Sequence, residues 1–326
     1  MNQSFQTLYT KLQEITDNST GSATAGQRRR FEQDINDTQS IVCAMKGGKW
    51  KFLEKTATEA STASGSSFDL PADCRKVISV KVTVGTTDYL PRGIESSKIW
   101  DHVDALNFGN SDRSLFWHQR GNDLLVAPAF SSANATITYT YRKRVKEMTA
   151  DDYSTGSIVS ISNAAKALVG TGSTWTNAME GRWIRIRGTN GDGQWYELET
   201  FGTTTTFTLA KEYQGDTISA ATDAYVIGEM PVMPSEYHSL LLWRPLAIYY
   251  TMNENLLQAA SYWKMYDGGF EAGLSPEVGG LLGVMLEEER EGEEGAIVDS
   301  YADLESYLHN YDVNTPPRSV ITFSDL

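Results

Sequence analysis

The chain has 326 residues, 40% of them hydrophobic, and a formal net charge of −14. This length is enough for about two domains with packed cores. No apolar run is long enough to cross a bilayer, and the first residues lack the basic start and apolar middle of a secretion signal, so we expect no membrane contact. The two cysteines, Cys43 and Cys74, have no metal-ligand spacing. We expect both to be reduced, which is consistent with assembly in a cytosol.

The negative charge is concentrated near the C-terminus. Residues 271–313 contain twelve carboxylates and one base, Arg290, so this segment carries −11 of the total charge of −14. We therefore predict an acidic C-terminal arm over residues 291–326. Such a segment is either solvated and mobile, or it forms a surface that repels nucleic acid or docks on a basic partner.

The first 153 residues combine helices with short strands. Residues 4–16 and 27–45 show helical stripes, and Ser4 is a plausible N-cap of the first. Residues 77–84 alternate with period two, which predicts a half-buried strand with Ile78 and Val80 on the same face. Residues 97–103 are predicted to form a short helix whose inward face includes Ile99 and Trp100.

Residues 154–228 show a different pattern. Six short strand signals are separated by turns rich in Gly, Asn, Asp and Thr, and no helical periodicity is present. This is typical of a small all-β sandwich or barrel. We therefore predict an α+β fold in which a discontinuous domain, residues 1–153 and 229–290, is interrupted by an inserted all-β module at 154–228.

Residues 234–270 predict two helices joined by a polar segment at 252–255. The first is apolar almost all round and contains Pro245. The second has one stripe, which is predicted to include Leu256, Ala259 and Tyr266. The pair is either an ordinary buried hairpin or one whose faces need neighbouring chains. A third helix is predicted to start at Pro276 and to break at Gly292 and Gly295.

Residues that could carry catalysis are scarce. The four histidines lie in unrelated segments, and no nucleophile elbow, phosphate-binding loop or dinucleotide-binding fingerprint follows a strand. His238 is predicted to be packed or capped. We therefore predict no enzyme activity and no catalytic, cofactor-binding or metal-binding residues. The basic clusters at 28–30 and 142–146 are either solvated or meet acidic surface on another chain, and we expect no specific DNA binding.

Several stretches resemble the head-to-tail connector proteins of tailed bacteriophages, also called adaptor or head-completion proteins. The similar segments are SFQTLYTKLQEITDN, FEQDINDTQSIVCA, FDLPADCRKVISVKVTVGTTDY, MPSEYHSLLLWRPLAIYY and NLLQAASYWKMYDGGF. GTGSTWTNAMEGRWIRIRG with GDGQWYEL resembles a β module that recurs in phage structural proteins. The resemblance covers about residues 1–150 and 229–286.

The resemblance implies a virion protein of the capsid–tail neck, assembled in the host cytoplasm. It implies a ring, usually of twelve copies, that lies below the portal, extends the DNA channel and docks the tail or nozzle proteins. We expect Trp243, Tyr249 and Tyr250 to lie between copies, and an arm with Val320, Ile321 and Phe323 to clamp another chain by strand addition. The glutamates expected to face passing double-stranded DNA without binding it are Glu287, Glu288, Glu289, Glu291, Glu293 and Glu294.

An alternative function rests on aromatic residues of the β module. Trp175, Trp183, Trp195 and Tyr196 either form the core of this small module or provide a platform on which sugars stack. In the second case the chain is a tail or surface protein that binds host glycan.

Overall fold

The computed structural model describes residues 3–16, 25–106, 109–111, 113–188, 190–219, 223–268 and 280–294 of the chain. It confirms the predicted α+β class. The α-helices are α1 Phe5–Thr16, α2 Ala25–Ala44, α3 Ser97–Ala105, α4 Leu240–Met252, α5 Leu256–Asp267 and α6 Gly280–Glu294. Within the described ranges, no helix combines the length and hydropathy that a membrane span requires.

Five of the helices, α1, α2, α4, α5 and α6, build one hydrophobic core. Its largest fully buried side chain is Trp50, whose Nε1 donates a hydrogen bond to the Val42 carbonyl at 2.9 Å. This bond ties the segment after α2 to the end of that helix. Ser4 caps α1 as predicted, because its Oγ accepts from the Thr7 amide at 3.3 Å.

Two four-stranded sheets form a second core. Their orders are β1-β8-β3-β4 and β2-β7-β6-β5, and buried side chains of both sheets pack together. The strands are β1 Glu54–Ala60, β2 Ser67–Asp69, β3 Cys74–Val84, β4 Thr87–Tyr89, β5 Arg92–Gly93, β6 Phe116–Arg120, β7 Asp123–Ala127 and β8 Ala135–Lys143.

A six-stranded sheet with its own core comprises β9 Ser157–Ser160, β10 Ala167–Thr171, β11 Trp183–Arg187, β12 Trp195–Thr203, β13 Thr206–Leu209 and β14 Ala224–Gly228. Its order is β14-β11-β12-β13-β10-β9. The backbone amide of each of Tyr153 and Ile227 donates a hydrogen bond to the carbonyl of the other, and both N···O distances are 2.8 Å. The chain therefore enters and leaves this sheet at adjacent points, which supports our proposal that residues 154–228 are an insertion.

Four expectations about individual residues are wrong. Ile78 does not share the buried face of Val80, because a β-bulge shifts the pairing of β3 between Val77 and Ser79 and leaves Ile78 exposed. Ile99 is exposed, although its helix buries Trp100 and Val103. Leu256 is exposed while Ala259 and Tyr266 are buried. Gly292 does not break the last helix, because α6 continues to Glu294.

Both cysteines are buried, but in different parts of the fold. Cys43 lies in the helical core, and Cys74 lies in the core of the two four-stranded sheets. Neither forms a disulfide. This arrangement agrees with the expectation that both thiols are reduced.

Candidate assembly interface

The α4–α5 hairpin is anchored at its start by a buried histidine. His238 Nδ1 accepts a hydrogen bond from the Gln3 amide at 3.2 Å, so Nε2 carries the proton and donates to the Met233 carbonyl at 3.1 Å. Burial lowers the pKa of His238 to about 4, because the charged imidazolium would lose its hydration. The neutral ring therefore joins the N-terminal segment to the start of the hairpin, and His238 is packed as predicted.

The body of α4 is buried on most sides. Leu240, Leu241 and Leu246 are buried in the helical core, and Arg244 on the same helix donates from Nη1 to Thr38 Oγ1 of α2 at 3.3 Å. Pro245 lies inside α4 and is also buried. Packing of this kind fixes the direction of α4, and thereby the position of the aromatic residues that follow.

The three aromatic residues expected between copies are partly buried within the chain itself. Trp243, Tyr249 and Tyr250 all pack against the helical core and keep part of their surface exposed. The Tyr250 ring stacks on Tyr262 with a centroid distance of 5.6 Å, and the Tyr249 ring lies 6.0 Å from Phe31. Their exposed surface remains available to a second chain, and their role between copies stays a prediction.

The most exposed apolar side chains of the hairpin lie at its tip and were not predicted. Met252 is 64% exposed, Leu256 67% and Leu257 86%. We call these three residues the hairpin tip. They flank a joint in which Glu254 has a φ of 58° and the Asn255 side chain accepts from the Gln258 amide, capping α5. The polar joint predicted at 252–255 could have indicated this exposure, because apolar residues next to a tight joint lie at the exposed end of a helical hairpin.

A basic side chain lies beside the hairpin tip, since Arg30 of α2 contacts the Met252 sulfur. Its neighbour Arg28 is held within the chain, at 2.6 Å from Glu32 and 2.5 Å from Asp151. The Arg28 hydrogen bond lowers the pKa of Asp151. In the second basic cluster, Arg142 lies 3.8 Å from Glu54. Part of both predicted clusters is thus neutralised by acids of the same chain.

The acidic residues of α6 begin where its buried face ends. Leu282 and Met285 are buried in the helical core, whereas Glu287 and Glu288 are exposed. The Tyr237 hydroxyl donates to the Glu288 carboxylate. For the remaining predicted glutamates the structure describes the helical backbone only; they are Glu289, Glu291, Glu293 and Glu294. The arm residues Val320, Ile321 and Phe323 lie outside the described residues.

The aromatic residues of the six-stranded sheet divide between its two faces. Trp175 and Tyr196 are buried in the module's core, and Trp175 Nε1 donates to the Tyr225 hydroxyl at 2.8 Å. Trp183 and Trp195 are half-buried on the opposite face, where Trp183 pairs with Glu197, and Arg185 pairs with Trp195. The two indoles are therefore diagonal neighbours. The glycan-binding alternative stays a prediction that depends on this pair.

One serine and one histidine meet without forming a catalytic pair. His118 Nε2 lies 3.3 Å from Ser97 Oγ, but His118 Nδ1 contacts the Ile94 backbone carbonyl at 2.6 Å instead of a carboxylate. The ring is buried and stacks on Trp100. These contacts hold α3 against β6. Within the described part of the chain, no group of three metal-binding side chains comes together.

Comparison with known proteins identifies the family. A family model described as SU10 adaptor protein matches residues 3–169, about half of the chain. The chain belongs to the SU10 adaptor protein family. As an SU10 adaptor protein it is a phage head–tail adaptor, a structural protein of the virion. The match covers α1, α2, α3 and both four-stranded sheets, and it ends in β10. The hairpin lies outside it.

No curated protein matches this SU10 adaptor protein. The family match reaches only the first two strands of the six-stranded sheet, so the resemblance of that sheet to a phage structural β module remains an expectation.

Proposed function

We propose that this SU10 adaptor protein forms a ring below the portal that connects the capsid to the tail and extends the DNA channel. The observation that supports the proposal is the hairpin tip, three exposed apolar side chains at the end of a hairpin whose first helix, α4, is packed in the helical core. Exposed apolar clusters are typical of surfaces that bind another protein. In a ring, such a surface meets a different surface of the next copy and the contacts close.

The proposed partners follow from the same arrangement. Neighbouring copies, twelve in the usual ring of such connectors, cover the hairpin tip and the exposed surfaces of Trp243, Tyr249 and Tyr250. The portal binds one end of the ring, and tail or nozzle proteins bind the other. The protein acts by contact and not by catalysis. Buried aromatic residues at such contacts contribute on the order of 2 kcal/mol each where they are hot spots.

The test is electron microscopy of the full-length protein mixed with purified portal rings. Wild-type protein is expected to add a second ring to the portal. Leu257→Glu places a charge in the proposed contact and is expected to abolish that ring, because an unpaired charge is costly to bury. Leu257 is almost fully exposed, so the variant should unfold within about 0.5 kcal/mol of wild type.

The matched control is Leu106→Glu, which introduces the same charge at an exposed leucine that follows α3. It is expected to form rings as wild type does. Rings that form equally well with Leu257→Glu and with Tyr250→Ala would exclude the hairpin as the contact between copies. If wild-type protein and portal form no rotationally symmetric particle, the proposed function is wrong.

A further inference from the structure

An open groove lies between β3 and the segment that leads to α3. Its volume is about 1220 Å³, and its walls are formed by residues 76–80 on one side and residues 90–95 and 117–119 on the other. Apolar side chains line much of it, including Ile78, Leu90, Ile94 and Trp117. Ile78 is 36% exposed and Leu90 is 66% exposed. The bulge in β3 turns Ile78 toward this groove and away from the core.

The groove runs beside backbone that has no neighbouring strand. On that side of β3, β4 pairs only with residues 82–84. Within the described residues, no strand pairs with residues 76–81 there. At the start of this edge the Gln119 side chain accepts from the Val77 amide at 2.8 Å and donates to the Arg75 carbonyl at 3.4 Å, and the part of the edge without a neighbouring strand continues through residues 78–81. An unpaired edge of this kind is a template for strand addition.

The other free edge of the same sheet is protected. The outer strand β1 has the sequence EKTATEA and is exposed along almost its whole length. Charged residues on an edge strand disfavour pairing with another chain. The edge of β3 differs because apolar side chains surround it. An extended segment that adds to this sheet is therefore directed to β3 and not to β1.

The course of the groove along a strand edge, together with its apolar lining, points to an extended peptide. Its lining contains three bases, Lys76, Arg92 and Arg142, and one acid, Glu95. Lys76 and Glu95 form an ion pair of 2.9 Å across the two walls. Arg142 also lies 3.8 Å from Glu54, so two of the three bases are paired within the chain. The features of the groove that can select an occupant are therefore its apolar lining and the strand edge beside it.

We propose that this groove receives residues 319–323 of a neighbouring copy, a proposal that rests on the ring described above. In an extended strand Ile321 and Phe323 point to the same side, so both side chains enter the apolar part of the groove. Residues 319–323 carry no charged side chain, which suits the apolar lining of the groove. The 29 residues from 295 to 323 span up to about 95 Å when extended, enough to reach an adjacent copy.

Exchange between copies gives the groove a role in assembly. Each copy would hold the arm of one neighbour and be held by another, so the contacts continue around the ring and close. The arm then adds a second contact between copies beside the hairpin tip. Two linked contacts bind more tightly than either one alone, because the second forms at a high effective concentration.

The test is photo-crosslinking in the full-length protein. Phe323 is replaced by p-benzoylphenylalanine in ¹⁵N-labelled copies, which are mixed with unlabelled copies before portal rings are added. After irradiation, mass spectrometry is expected to find the labelled arm joined to unlabelled peptides that contain residues 76–80 or 90–95. Ile78→Glu in the unlabelled copies should lower this yield about tenfold or more, because it places a charge in the apolar groove.

Ile41→Glu is the matched control, since Ile41 is 39% exposed on α2 and Ile78 is 36% exposed. It should leave the crosslinking yield as in wild type. Adducts within a single copy, adducts on β1 or elsewhere, or equal yields for the two variants would overturn the proposal. Electron microscopy of the same samples tests the proposed ring independently of the proposed arm exchange. Rings without groove adducts refute only the arm exchange, and an absence of rings refutes the proposed function.

Discussion

His238 makes the stability of the helical core depend on pH. Its folded pKa is about 4, against an ordinary value of about 6.5 for an unfolded histidine. Between these values the unfolded chain binds a proton that the folded chain does not. The stabilising contribution of the neutral ring is therefore complete above pH 6.5, and it is lost as the pH falls toward 4.

We expect this single residue to cost the wild-type protein about 2 kcal/mol of unfolding free energy between pH 7.5 and pH 4.5. In His238→Gln that part of the pH dependence should disappear, because an amide does not titrate. Urea denaturation of both proteins at the two pH values measures the difference.

His102→Gln, which changes an exposed histidine of α3, serves as the control and should behave as wild type does. An equal loss of stability in wild type and His238→Gln would show that the buried ring is not the titrating group.

At the scale of elements, local sequence patterns predicted which helices and strands form, and in what order, better than they predicted which side chains of each element are buried. All six strands of the module were predicted, because period-two alternation and turn residues are encoded within a few positions. The exposure of Ile99 and Leu256 was not predicted. An apolar stripe shows that a helix is amphipathic, but it does not show how much of that stripe a neighbouring element covers. The bulge at Ile78 depends on pairing with β8, which is distant in sequence.

The same reasoning applies to the candidate interface. The hairpin and its joint could be predicted because both lie in one continuous stretch. The groove could not, because its walls come from β3, β6 and the segment before α3, and only folding brings these together. Its apolar lining gives no periodic signal in the sequence.

The chain enters and leaves the six-stranded sheet at the paired residues Tyr153 and Ile227, so we predict that the sheet can be deleted from the protein. We expect a chain in which Asn-Gly replaces residues 154–226, with Ile227→Thr to limit exposed apolar surface, to keep its helices and unfold cooperatively. The reason is that Tyr153 and Ile227 are already hydrogen-bonded partners, so a two-residue turn can join them. Circular dichroism during thermal unfolding measures both properties.

The control for this excision removes a segment of equal length, residues 146–218, whose ends are not paired. It should fail to fold, since it also deletes the Thr149 amide that donates to the Glu229 carboxylate at 2.6 Å. Loss of helix in the first variant would instead mean that the sheet and the helices form a single cooperative unit.

At the scale of the whole molecule, the negative charge is concentrated near the C-terminus of the sequence. The acidic segment begins on the exposed part of α6, beyond the buried Leu282 and Met285. If this part of each copy faces the channel, the ring presents a negative wall from which DNA is repelled. A change of two charges in one copy is then multiplied by the number of copies.

We therefore expect Glu287→Gln with Glu288→Gln to increase the retention of double-stranded DNA by assembled portal–adaptor rings at low salt. The increase should fade at high salt, where the Debye length falls from about 10 Å at 0.1 M to about 3 Å at 1 M. Filter binding over a salt series is the measurement.

Glu197→Gln with Glu199→Gln removes the same charge from two exposed residues of β12 and should leave DNA retention unchanged. If wild type and both double variants retain the same amount of DNA, α6 does not line the channel.

The two buried cysteines have a consequence for the chemical durability of the protein. Burial raises the pKa of Cys43 to about 12 and also raises the pKa of Cys74. The thiolate is the form that oxidants attack, so at neutral pH both sulfurs are nearly inert. We therefore expect the purified protein to keep both thiols unmodified, with no crosslinks or sulfenic acids at these positions, during storage in aerated buffer without a thiol reagent.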